Sequence, residues 1–71
     1  MTPYSQSIYD ASVELAELLS ESDYVKFKER KSSHVEKISA MYLVNKESIS
    51  RDITRAIVII IWPESLNVRK Q

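Results

Sequence analysis

The segment that spans residues 35 to 53 reads VEKISAMYLVNKESISRDI, and its pattern predicts two short helices joined by a tight turn. Ile38 and Tyr42 are spaced to face inward from the first helix, and Ile49 and Ile53 are spaced to do so from the second. The segment contains no glycine, the residue type on which such sharp turns usually rely, so the joint must be built in an unusual way.

The N-terminal third of the chain predicts a longer amphipathic helix. Thr2 and Pro3 mark its start, because proline is well tolerated at the first helical position. Its apolar residues recur at intervals of three and four, which is typical of a helix that packs on one side. These residues are Ile8, Ala11, Leu15, Leu18 and Leu19. The polar run at 20–23 is expected to end this helix and to cap the next one.

A short second helix is expected to follow, with Tyr24, Val25 and Phe27 turned toward the core. Ser32 and Ser33 predict a break after it. Ser33 and Glu36 have the spacing of a capping box, which indicates that a fresh helix opens there. That third helix is expected to bury Val35, Ile38 and Tyr42, and His34 would be an exposed residue of its first turn.

The last helix is predicted to begin after Asn45, a residue type that commonly caps a helix N-terminus. Its inward residues are Ile49, Ile53, Ile57 and Ile60. The run at 56–62 is rich in β-branched residues, so a strand is the alternative there. We favour a helix to about Ile60, stopped by Pro63. The same run, with Trp62, could serve partly as core and partly as a dimer contact.

Together these patterns predict an all-α fold, a small bundle of four to five helices in a single domain over residues 1–71. The charge is unevenly distributed, although the formal net charge is zero. The first 24 residues carry five acids and no Lys or Arg, whereas the rest carry ten Lys and Arg against five acids. This asymmetry is compatible with a basic binding surface beside an acidic supporting helix.

The composition argues against several classes of function. The chain has no cysteine, no glycine and one histidine, so it lacks the materials for a thiolate metal site, a phosphate-cradling loop or a nucleophile elbow. We therefore expect neither an enzyme nor a cofactor, metal or small-molecule ligand. No secretory signal is visible, and the apolar run at 56–62 is too short to span a bilayer. A cytoplasmic protein without a membrane partner is expected.

The residues Val44 to Arg51, VNKESISR, strongly resemble the motif of bacterial and phage helix-turn-helix regulators. The resemblance implies a helix-turn-helix at about 36–58 that reads the major groove with helix 46–58. It places six residues at DNA-facing positions and two at phosphate contacts. The first six are Asn45, Lys46, Glu47, Ser50, Arg51 and Thr54, and the other two are Arg55 and Lys37. It also implies double-stranded DNA as a partner and a homodimer on two half-sites.

A weaker likeness links Tyr42-Leu43-Val44-Asn45 to the adhesin-biosynthesis regulators of fimbrial operons. Leu43 departs from the helix-turn-helix pattern, since it stands where glycine is usual. If that position is left-handed, a leucine there costs about 1–2 kcal/mol.

Arg51, the basic cluster and the chain as a whole each allow two interpretations. Arg51 could grip a guanine or simply pair with Glu47 one helical turn away. The basic cluster of Lys26, Lys28, Arg30 and Lys31 could contact phosphates or be a solvated face. The whole chain could instead be a helical interaction module, an adaptor or anti-regulator that binds a larger protein.

Overall fold

The structure, a computed structural model, describes residues 2–61, and within them every regular element is a helix. Helix α1 spans Pro3–Ser20, α2 spans Tyr24–Tyr42 and α3 spans Lys46–Ile61. The all-α class is therefore confirmed. The described part of the chain holds three helices rather than the four to five that the sequence predicted. None of these three helices is both long enough and apolar enough to cross a membrane.

The core lies mainly between α1 and α3, which share the most extensive contact of the three helix pairs. Its buried apolar residues are Ile8, Ala11, Leu15, Ala16, Leu18, Ile38, Ile49, Ile53 and Ile57. Small residues on α1 let the two helices approach closely. Among them Ser12 is fully buried, and its hydroxyl donates to the Ile8 carbonyl at 2.7 Å. The predicted stripes of α1 and α3 are thus confirmed as the two main faces of the core.

Helix α2 runs without interruption through Ser32 and Ser33, so the predicted break and capping box there are wrong. A carboxylate on α1 explains why the helix continues. Glu14 contacts Arg30 on one side of the serine pair and His34 on the other, at 2.7 and 2.9 Å. These two residues are four apart and therefore lie on one face of a continuous helix. Ser32 and Ser33 do not cap a new helix here, and serine has only a modestly lower helix propensity than alanine, so a helix interior tolerates both.

The orientation predicted for the start of α2 is also wrong in part. Tyr24 and Val25 are exposed, at 61% and 72%, and only Phe27 packs against the core. Val25 lies two residues before Phe27, which puts it roughly 200° around the helix. Because the helix is continuous, its inward stripe is set by Phe27, Val35, Ile38 and Tyr42 instead.

The joint between α1 and α2 closes as the polar run at 20–23 predicted. Ser22 adopts a left-handed conformation with φ of 59°. Its N–H donates to the Leu19 carbonyl and that of Asp23 donates to the Leu18 carbonyl, both at 3.0 Å, which is the Schellman pattern of a helix C-terminus. Asp23 then caps α2 by accepting from the Lys26 N–H at 3.2 Å.

Helix α3 continues through the β-branched run to Ile61, so the strand alternative is wrong over residues 56–61. Ile57 is buried and Ile60 half-buried, as the helical spacing predicted. Val58, Ile59 and Ile61 are exposed, at 44%, 67% and 54%. The predictions for Trp62 and Pro63 fall outside the described residues.

Candidate nucleic-acid interface

A joint of three residues, Leu43 to Asn45, connects α2 to α3. Leu43 has φ 55° and ψ 43°, so it adopts the left-handed conformation in which a leucine is energetically costly. Its N–H donates to the Ser39 carbonyl at 2.8 Å. The Leu43 side chain is 91% exposed, so its packing does not offset the cost of this conformation.

Ser39 holds the joint from the α2 side. Its hydroxyl donates to the Val44 carbonyl at 2.8 Å, while its own carbonyl accepts from Leu43. One residue of α2 therefore fixes both sides of the left-handed turn. Ser39 was not among the predicted site residues, and the signal that could have found it is a hydroxyl five residues before a turn carbonyl.

Asn45 caps α3 as predicted. Its side-chain oxygen accepts from the Glu47 N–H at 2.7 Å, and its carbonyl accepts from the Ile49 N–H at 3.1 Å. The oxygen serves as the cap, and the NH₂ group of the same amide has no hydrogen-bond acceptor among residues 2–61, so it can donate to an external partner. Asn45 is exposed, so this donor lies at the accessible start of the helix.

The outward side of α3, which we term the α3 face, comprises Lys46, Glu47, Ser50, Arg51, Thr54 and Arg55. All of them are exposed except Ser50, which is half-buried. The Thr54 hydroxyl donates to the Ser50 carbonyl at 2.9 Å and accepts from Lys31 of α2 at 3.0 Å. Seven of the eight predicted DNA-contacting residues are therefore brought together, since Asn45 adjoins this face.

The Arg51 guanidinium is available for an external partner. Among residues 2–61, no carboxylate oxygen lies within ion-pair distance of it, so the alternative pair with Glu47 is not formed. An arginine presents a planar fork of donors that matches the O6 and N7 acceptors of guanine. The geometry leaves this fork accessible on the α3 face.

Lys37 is the predicted residue that the structure places elsewhere. It lines a shallow pocket between α1 and α2 together with Asp10 and His34. It follows Lys28 by nine residues, which is two and a half helical turns, so the two lysines lie on opposite sides of α2. Lys28, rather than Lys37, is on the side of α2 that adjoins α3.

A groove of about 510 Å³ lies between α2 and α3, and every described residue that lines it belongs to these two helices. Phe27 and Val35 supply its apolar floor, and both are half-buried. Lys28, Lys31 and Lys46 lie at its rim, together with the carboxylates of Glu36 and Glu47. We term this the α2–α3 groove. Lys28 and Lys31 of the basic cluster therefore lie beside the α3 face, a position that the sequence alone did not predict.

Arg30, the one arginine of that basic cluster, pairs with Glu14 of α1, although its side chain is 43% exposed. Its Nε donates to Glu14 at 2.7 Å, and His34 contacts the same carboxylate at 2.9 Å. The hydrogen bond from Arg30, then that from His34, lowers the pKa of Glu14 to about 2, although burial opposes the shift. The same bond raises the pKa of Arg30. The His34 side chain is 18% exposed in mid-helix, so its predicted place in an exposed first turn is wrong.

A different polar contact joins α1 to the inward side of α3. The Tyr4 hydroxyl donates to Asp52 at 2.7 Å, and burial, followed by this bond, raises the pKa of Tyr4 to about 12. The Tyr4 ring also meets that of Tyr42 edge to face, with centroids 5.7 Å apart. These contacts join all three helices behind the α3 face and hold it in one orientation.

Within the described residues, no group of three or more His, Asp or Glu side chains is arranged to hold a metal ion. Comparison of the chain with protein-family profiles, with curated proteins and with solved structures found no match.

Proposed function

We propose that this chain is a small, non-enzymatic, cytoplasmic DNA-binding regulator that inserts the first half of α3 into the major groove of duplex DNA. The three-residue joint with its left-handed Leu43 supports a helix-turn-helix over about 36–58. The observation that carries the proposal is the α3 face itself. It is an accessible, hydrogen-bonding surface at the start of a capped helix, with Arg51 unpaired among the described residues.

Each residue of the interface has a distinct role in this proposal. Arg51 reads a guanine edge, and the Asn45 amide donates to a base or phosphate at the start of the helix. Lys46, Glu47, Ser50 and Thr54 complete the face that meets the groove. Arg55, Lys28 and Lys31 contact phosphates, which fix the orientation of the helix without reading sequence.

A second copy completes the proposed reader. Val58 and Ile61 are exposed and three residues apart, so they form an aliphatic patch on one side of α3 at its far end. Ten residues of helix separate Arg51 from Ile61, or about 15 Å, so a two-fold contact at this patch can place two reading segments about 30 Å apart. This approaches the roughly 34 Å between half-sites one DNA turn apart.

The test is to select bound fragments from random duplex DNA and then compare two exposed cations on that fragment. We expect Arg51→Ala to weaken binding by about tenfold to a hundredfold, because one bidentate contact contributes roughly 1–3 kcal/mol. Lys37→Ala is the matched control, since Lys37 lies on the far side of α2, and we expect less than about a twofold change in its affinity. Fluorescence anisotropy gives both affinities, and circular dichroism confirms that both variants fold.

Equal losses in the two variants would contradict the assigned interface. If no duplex is bound at low salt while a specific protein is captured, the interaction-module alternative replaces the DNA proposal.

A further inference from the structure

Two surfaces of this chain match each other in charge and in apolar content. One is the α2–α3 groove. The other, which we term the α1 face, is the outer side of α1 and comprises Tyr9, Asp10, Val13 and Glu17, all of them exposed. Because the described lining of the groove comes from α2 and α3, one molecule presents both surfaces at the same time.

The α1 face is acidic and carries apolar side chains in its middle. Tyr9, Val13 and Glu17 follow one another at intervals of four residues, so they form a single row along the helix. Tyr9 is 47% exposed and Val13 is 41% exposed, so both side chains can contact a partner. Asp10 and Glu17 flank this pair with negative charge.

The α2–α3 groove has the opposite net charge, with three lysines and the two glutamates Glu36 and Glu47 around an apolar floor. The Lys31 ammonium donates to the Thr54 hydroxyl, a neutral group that leaves its charge uncompensated. Among residues 2–61, no carboxylate oxygen lies within ion-pair distance of Lys28 or Lys31. Lys46 pairs only loosely with Glu36, at 3.9 Å and with both side chains exposed. The half-buried Phe27 and Val35 line the same groove.

We propose that the α1 face of one copy docks into the α2–α3 groove of a second copy, with Tyr9 and Val13 on the apolar floor and Asp10 and Glu17 against the rim lysines. The contact is heterologous, since two different surfaces meet, and it therefore extends head to tail. A formal net charge of zero favours such association, because no long-range repulsion keeps the copies apart.

This contact has a consequence for DNA, which rests on the proposed function, whereas the association itself does not. Lys46, Glu47 and Ser50 belong to both the groove and the α3 face. A second copy seated in the groove covers them, so duplex DNA and the α1 face compete for the same surface. Free protein associates head to tail, and binding to an operator displaces the α1 face from the groove.

Two charge reversals test the contact by sedimentation velocity in the absence of DNA. Wild-type protein forms species whose mass grows with concentration at about 50 mM salt and shrinks at about 500 mM, because added salt screens exposed charges. Glu17→Lys removes a docking α1 face and Lys31→Glu removes a receiving groove. Each variant alone loses these larger species, with association weakened at least about tenfold.

An equimolar mixture of the two variants gives the decisive result. One variant keeps an intact groove and the other keeps an intact α1 face, so the mixture forms a complex larger than either variant alone. Lys26→Glu, an equal charge change on the exposed first turn of α2 outside the groove, is the control and assembles as the wild type does. Lys28→Glu replaces Lys31→Glu if circular dichroism shows that the latter does not fold.

The proposal is overturned if wild-type protein keeps one mass over the whole concentration range, or if the mixture is no larger than its components. DNA binding is scored separately with Glu17→Lys, whose substitution lies outside the α3 face. If this variant fails to bind DNA while the mixed complex forms, the proposed function fails and the head-to-tail contact stands.

Discussion

Leu43 and Ser22 adopt left-handed backbone conformations, in a chain that has no glycine to place there. At Ser22 the hydrogen bonds of the α1 terminus require the conformation. At Leu43 the joint before α3 requires it, and the hydroxyl of Ser39 reinforces that joint. No packing in the described structure explains why position 43 holds a leucine.

Leu43→Gly therefore tests whether the joint is strained. We expect it to raise the free energy of unfolding by about 1 kcal/mol, since a β-carbon disfavours the left-handed region and glycine does not. Ala40→Gly is the control, because Ala40 is exposed within α2, and glycine there costs about 1 kcal/mol. Urea denaturation gives both values. A loss of stability in Leu43→Gly would show that the left-handed joint is not the conformation in solution.

Glu14 gives the bundle a dependence on pH. Its pKa is about 2 in the folded protein and 4.5 ordinarily, so its contribution to stability is present above pH 4.5 and is lost as the pH falls toward 2. Because the Glu14 side chain is 39% exposed, water screens the cluster, and we expect a contribution of about 1 kcal/mol.

Glu14→Gln tests this dependence by urea denaturation at pH 7 and at pH 3. We expect the variant to be less stable than wild type at pH 7 and to lose less stability on acidification. Glu17→Gln, three residues later on the exposed side of α1, serves as the control and keeps the wild-type dependence. Identical pH dependence in Glu14→Gln and wild type would exclude Glu14 as the source.

At the scale of the elements, the sequence predicts features that depend on neighbouring residues, such as the starts of the helices. Thr2, Asp23 and Asn45 cap the three helices, each at a position where the local pattern indicated a helix start. The continuity of α2 was not predictable in this way. It depends on Glu14, which lies 16 residues before Arg30 in sequence, and no local rule identifies such a partner.

Because α2 is continuous, Ser33 lies inside a helix and is not an N-cap, whereas Asn45 is the N-cap of α3. Ser33 is exposed within the helix, so we expect Ser33→Ala to raise the free energy of unfolding by a few tenths of a kcal/mol, roughly the difference in helix propensity. Asn45→Ala removes a true cap and is expected to cost about 1 kcal/mol. Thermal or urea unfolding measures both. A loss of about 1 kcal/mol in Ser33→Ala would instead indicate a helix start at that serine.

At the scale of the whole molecule, the acidic and basic parts of the sequence lie on different surfaces. The α1 face is acidic, whereas the α2–α3 groove and the α3 face carry exposed cations. Six of the predicted interface residues lie on α3, and the resemblance to helix-turn-helix regulators identified them. The position of Lys37, and the roles of Lys28 and Lys31, depend on how α2 is rotated against its neighbours, which spacing within one helix does not determine.

The most direct test of the central claim is an amide chemical-shift map of dilute ¹⁵N-labelled protein titrated with a selected duplex at low salt. Binding through the α3 face predicts shifts concentrated at residues 45–55 and around Lys28 and Lys31, with little change at Lys37 or along the α1 face. These shifts weaken steeply as salt is added, because phosphate contacts release counterions. Shifts confined to the α1 face, or none at all at low salt, would contradict the account.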